Sequence, residues 1–96
     1  MFGTIARASI KPENRPRLEE LMRGQDYQGL NVEGYVTSYV MFPDGRDDEM
    51  WIVAVFRDRD TYTRNADSPE QDARYRELRA LLESDPEWTD GEFTQM

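Results

Sequence analysis

The chain has 96 residues, with 20 Asp and Glu against 12 Lys and Arg, a formal charge of -8, and neither cysteine nor histidine. That charge repels phosphate backbones and anionic lipid surfaces, which argues against nucleic acid and membrane as partners. The missing residue types remove disulfides, a thiolate nucleophile, the usual haem and zinc ligands and the commonest general base.

Taken in order, Met1 to Ile10 is rich in β-branched and small apolar residues and predicts a first strand. Lys11-Pro12-Glu13-Asn14 ends it, since proline cannot donate to a sheet ladder and asparagine offers a helix cap. Pro16 suits a first helical turn, and Leu18, Leu21 and Met22 recur at helical spacing up to Gly24. Gln25 to Asn31 reads as a polar connection. Val32 to Phe42 then predicts a second strand, closed by the turn residues Pro43-Asp44-Gly45-Arg46. The hairpin tip, roughly Asp44 to Glu49, is acidic and expected to be solvated. Its carboxylates lack the spacing of a calcium loop.

Met50-Trp51-Ile52-Val53-Ala54-Val55-Phe56 is an unbroken apolar run between charge clusters, the pattern of a strand buried on both faces. After it, Asp58 is placed to cap a short helix through Tyr62 and Asn65. Ser68-Pro69-Glu70-Gln71 combines a capping serine, proline at the first helical position and a glutamine placed for the reciprocal bond. The helix it opens carries Tyr75, Leu78, Leu81 and Leu82 on its apolar face and is expected to run to Asp85-Pro86. A last strand is expected at roughly Gly91 to Gln95, with Trp88 packing onto the long helix. No leader-like segment opens the chain, and no apolar run approaches the roughly twenty residues that span a bilayer, so a cytoplasmic protein is expected.

Strand, helix, strand, strand, helix, strand is the split βαβ order. The fold class is therefore α+β and ferredoxin-like, one domain over residues 1–96 with a four-stranded antiparallel sheet and two main helices on one face. Two short helices cover one face only, while both parities of the central strand are apolar. A second copy of the chain is expected on the bare face, giving a homodimer.

The stretch from Phe56 through Tyr62, Asn65 and Ser68-Pro69-Glu70, with Tyr75-Arg76-Glu77-Leu78 and Asp85-Pro86-Glu87-Trp88, resembles the antibiotic biosynthesis monooxygenase superfamily of dimeric α/β barrels. In its haem-degrading branch an asparagine, a tryptophan and a histidine hold key places, and these fall on Ala6, Asn65 and Tyr75 here, so the resemblance does not extend to that chemistry. The branch it favours is cofactor-independent: oxidation of a small aromatic or polyketide-like molecule by dioxygen, with no metal or flavin. The alternative is a non-catalytic dimeric barrel that binds a small apolar ligand or serves as a stress-associated accessory domain.

Such an oxidation needs a dry apolar pocket, an acceptor for a phenolic proton and polar groups that steady the anion. Asn65, Tyr75 and Arg57 are the candidate catalytic residues, and Trp51, Phe56, Tyr35 and Tyr39 the candidate walls. Each also has a plain structural reading. Trp51 and Phe56 suit core or interface packing, Tyr75 heads an apolar helix face, Asn65 suits a helix end, and Arg57 stands beside Asp58 and Asp60.

Overall fold

The computed structural model describes residues 1–24 and 32–96; the polar connection expected at Gln25 to Asn31 lies outside the described residues. Strand β1 spans Phe2–Ser9, a 3-10 turn Pro12–Asn14, helix α1 Arg15–Gly24, strands β2 Tyr35–Met41 and β3 Glu49–Phe56, helices α2 Arg59–Ala66 and α3 Pro69–Arg79, and strand β4 Glu87–Glu92. The four strands form one antiparallel sheet in the order β2-β3-β1-β4. This is the expected ferredoxin-like arrangement.

Register assigns the faces. Ala6 stands opposite Ile52 on one side and Trp88 on the other, so the even-numbered residues of β1, β3 and β4 share a face. On it Ala6, Ala8, Met50 and Ile52 pack against Leu18, Leu78 and Leu82 and are essentially closed to solvent. The other face carries Ile5, Trp51, Val53, Tyr39 and Met41. Ile5, Tyr39 and Met41 are 40%, 66% and 51% exposed, so among the described residues nothing covers this apolar surface.

Local chemistry starts α2 and α3 where the sequence indicates, whereas Asn14, expected to cap the first helix, stands inside the 3-10 turn and donates its side-chain amide to Leu81 O at 3.2 Å. Asp58 accepts from Thr61 N at 2.9 Å and from Thr61 Oγ1 at 2.8 Å. Those two bonds, with Arg57 behind them, hold its carboxyl down from an ordinary 3.8 to about 2. Gly34 has φ +80, and a Cβ there would run into the buried Thr61, so only glycine lets the entry to β2 lie against α2. Its carbonyl accepts from Arg57 N at 2.6 Å, locking the end of β3 to that turn. At α3 the Ser68 hydroxyl accepts from Gln71 N at 3.1 Å. The reciprocal bond expected of Gln71 is not made, because Ser68 N donates instead to Asn65 O and the Gln71 Oε1 is taken by Arg74.

Other boundaries also differ. Helix α3 ends at Arg79, several residues before Asp85, because Leu82 leaves the helix to bridge to Ile10 and Glu83 N donates to Ser9 O. Strand β4 begins at Glu87, not near Gly91, since β1 offers a free edge that pairs from Arg7↔Glu87 to Phe2↔Glu92. Glu49 belongs to β3, not to a solvated tip. It is 9% exposed, bonded by Arg7 Nε at 2.8 Å and Trp51 Nε1 at 2.9 Å.

Candidate functional site

Between the sheet and the helices lies a cavity of about 440 Å³. Its floor comes from alternate residues of three strands: Thr4 of β1, Ile52, Ala54 and Phe56 of β3, and Trp88 and Asp90 of β4. Helix α2 contributes Tyr62, Asn65 and Ala66, α3 contributes Gln71, Asp72, Arg74, Tyr75 and Leu78, and α1 contributes Met22. The hollow exists because Thr4 and Ala54 are small while the residues around them are large.

Aromatic rings frame it. Phe56, 2% exposed, stands edge-on to Tyr62 at 5.8 Å, and Tyr62 in turn meets Phe2 at 5.4 Å. At the opposite wall Tyr75 and Trp88 are 6.1 Å apart and tilted by 55°. A flat ligand entering here meets ring faces and edges on two sides.

The polar groups are fewer and clustered. Tyr62 donates its hydroxyl to Asp90 Oδ1 at 3.0 Å. Burial first, and then the Asp90 carboxylate, push the Tyr62 phenol up to about 12, so it stays protonated and serves as a donor, not a base. Asn65 closes the last turn of α2, where its carbonyl accepts from both Ser68 N at 3.0 Å and Ser68 Oγ at 2.8 Å. Ser68 thereby joins α2 to α3 and fixes the spacing between Asn65 and Tyr75. Arg74 is tied to Gln71 Oε1 by bonds of 3.2 and 3.1 Å.

Of the residues singled out from the sequence, Asn65, Tyr75 and Phe56 meet on this cavity. The others lie elsewhere. Trp51 is on the opposite face of the sheet, level with Arg7 and Met41, because it has the other parity from Phe56. Tyr39 shares that face and reaches only the border of a second hollow near β2. Tyr35 stands edge-on to Phe56 at 6.1 Å with its hydroxyl on Ser38 Oγ at 2.9 Å, outside the cavity lining. Arg57 is exposed and paired with Asp58 at 3.2 Å and Glu33 at 3.6 Å, also outside the lining.

Tyr62, Trp88 and Asp90 were not singled out for the site. A signal existed for Trp88, an aromatic residue in an otherwise polar stretch. None existed for the Tyr62 to Asp90 bond, which depends on β4 lying beside β1. Among the described residues no three His, Cys, Asp or Glu side chains come together as metal ligands, and no helix is long and apolar enough to cross a membrane.

Comparison with known proteins agrees with this architecture. The family model for antibiotic biosynthesis monooxygenase matches residues 1–77. No curated protein matches in sequence. Among solved structures, SnoaB, a cofactor-independent oxygenase from Streptomyces nogalater, superposes with a TM-score of 0.79 at 18% identity, over 99% of this chain and 94% of that one. A conserved protein from Methanosarcina mazei Go1 gives 0.82 at 15% identity, covering 97% and 92%. A structure described as an antibiotic biosynthesis monooxygenase gives 0.78 at 14% identity, covering 99% and 100%. At these identities the structural likeness speaks for the fold.

Proposed function

Because the chain belongs to the antibiotic biosynthesis monooxygenase family, we propose that it is a cofactor-independent oxygenase of small hydroxylated aromatic or polyketide-like molecules, acting as a homodimer. The observation that carries this reading is the cavity itself: apolar and aromatic walls, with Asn65 and the Tyr62–Asp90 pair among its lining polar groups and Tyr75 on the wall across from Tyr62. SnoaB has the same fold and is described as a cofactor-independent oxygenase, which supports the reading without fixing a substrate.

The chemistry asks little of the protein beyond that arrangement. A phenolic substrate gives up its proton and becomes an electron-rich anion. One electron passes from the ring to dioxygen, and the resulting pair recombines with formation of a ring carbon to oxygen bond. The proton first given up returns to the peroxide, and loss of water, made from the outer peroxide oxygen with its proton and the hydrogen of the attacked ring carbon, leaves a quinone that keeps the other oxygen atom. In this scheme Asp90 accepts the phenolic proton and Tyr62 orients its carboxylate. Asn65 and the Tyr75 hydroxyl donate to the anion. Phe56 and Ile52, both buried, hold the ring and keep water from the reduced oxygen species, while Trp88 flanks it. The homodimer is supported by the uncovered apolar face around Ile5, Tyr39 and Met41.

The test is oxygen uptake by the purified protein with 1,5-dihydroxynaphthalene as substrate, with neither metal nor flavin added. Quinone absorbance should rise in step with oxygen consumed. Asn65→Ala and Tyr75→Phe should each lower kcat at least tenfold while stability stays within about 1 kcal/mol, since each removes polar atoms and little packing. Binding of the naphthol without oxygen uptake would make the chain a ligand-binding barrel instead.

A further inference from the structure

The cavity does not end at the middle of β3. A second hollow, of about 370 Å³, opens on the β2 and α1 side, and the two share three lining residues, Met22, Ile52 and Ala54. Ile52 and Ala54 are common floor, both on the helix-facing parity of β3. Met22, in the last turn of α1, is the one shared residue that belongs to the helical layer. It is only partly buried against the core.

We propose that the two hollows are lobes of a single elongated site and that Met22 is the divider that sets how long a ligand the site accepts. This rests on the reading of the cavity as a binding site for hydroxylated aromatics. The distribution of polarity supports it. The shared middle is apolar, whereas hydrogen-bonding groups lie towards the two ends: Asn65 and Asp90 in one lobe, Ser38 and Glu19 in the other. A flat fused-ring molecule with oxygen substituents at both ends matches that pattern, while a single ring fills one lobe only. Methionine suits the dividing position. Its unbranched chain swings aside at small cost, and its sulfur packs well on an aromatic ring, so the passage opens for a ligand that crosses it.

Binding separates this idea from the oxidation chemistry. The probes are resorcinol, with one ring, and 2,6-dihydroxyanthraquinone, with three rings and hydroxyls at opposite ends. The second is already a quinone, so its affinity is read by calorimetry with no turnover. Met22→Trp, which walls off the passage, should weaken the anthraquinone at least tenfold and resorcinol much less. Ser38→Ala should weaken the anthraquinone about threefold, without effect on resorcinol, and it alters too little volume to threaten the fold. Equal losses for both probes in either variant overturn the two-lobed site, as does a wild-type protein that binds the anthraquinone no more tightly than resorcinol. Failure of the oxygenase reading has a different signature: the probes still discriminate, but no oxygen is consumed with a reduced phenol.

Discussion

The two faces of the sheet are built by the same four strands and differ in where side-chain bulk is placed. On the helix-covered face, small residues at Thr4 and Ala54 are bracketed by Phe56, Trp88 and Ile52, so the helices span a hollow instead of filling it. On the other face the middle of the sheet carries Ile5, Val53 and Trp51, with a charged clasp of Arg7 and Glu49 at 2.8 Å beside them. One face keeps space and the other presents bulk. A binding cavity needs the first and a self-complementary contact needs the second, and the alternation of one strand supplies both kinds of surface.

The largest expected effect lies on the open face. Val53, between Ile5 and Tyr39 in register, is at its centre. If that face meets a second copy, Val53→Asp buries an unpaired carboxylate and should cost about 3 kcal/mol or more of association, roughly a hundredfold in the dimer dissociation constant. Sedimentation velocity should show a mass of two chains for the wild type and one for the variant. A wild-type chain that sediments as a monomer at micromolar concentration ends the homodimer proposal, and the exposed apolar face then needs another explanation.

The covered face is sharpened by a pair of identical changes at different places. Ala6 is fully buried between Ile52 and Trp88 and lines neither hollow, whereas Ala54 borders both. Ala6→Leu should overpack the core and cost about 1–3 kcal/mol in urea unfolding. Ala54→Leu grows into open volume and should cost less than about 1 kcal/mol, while abolishing the binding of a three-ring ligand. Equal losses of stability would mean that the hollow is not available space.

This contrast also marks what the sequence makes legible. The apolar run of β3, the Asp58 cap and the Ser68-Pro69 start are local signals, and each sits where local physics puts it. Strand β4 is different. Glu87, Thr89 and Glu92 look like loop residues, and only the free edge of β1 makes a strand of them. A last strand at Gly91 to Gln95 does not bring Asp90 to Tyr62; the pairing of Glu87 to Glu92 with β1 does. The parity of β3 was ambiguous because both sets are apolar between Met50 and Phe56. The deciding clue was Glu49, which shares a parity with Trp51 and stands opposite Ser9, next to Arg7 opposite Trp51. Counting that carboxylate as part of the strand would have assigned Trp51 to the open face and Phe56 to the cavity.

Acid distinguishes the faces by the smallest of the effects. Among the described residues two carboxylates are held below their ordinary range, one beside each face. Asp58, at the start of the helix over the cavity, is lowered to about 2 by its two bonds from Thr61. Glu49, on the open face, is lowered from 4.5 by the Trp51 indole N–H foremost and by Arg7, against the opposing effect of burial. A carboxyl whose pKa is lower in the folded state binds its proton more readily when unfolded, so its contribution to stability is complete above the unfolded value and is lost as pH falls. For Asp58 that loss runs from 3.8 to about 2, and for Glu49 it begins below 4.5. The urea midpoint of the wild type should therefore decline in two overlapping stages on acidification. Asn caps a helix nearly as well as Asp, so Asp58→Asn should keep α2 in place and flatten only the lower stage. Glu49→Gln should flatten the upper stage, and in a dimer it should also remove the acid sensitivity of association. A midpoint that still falls as steeply between pH 3.8 and about 2 in Asp58→Asn would mean that the cap does not couple the cavity's roof to pH.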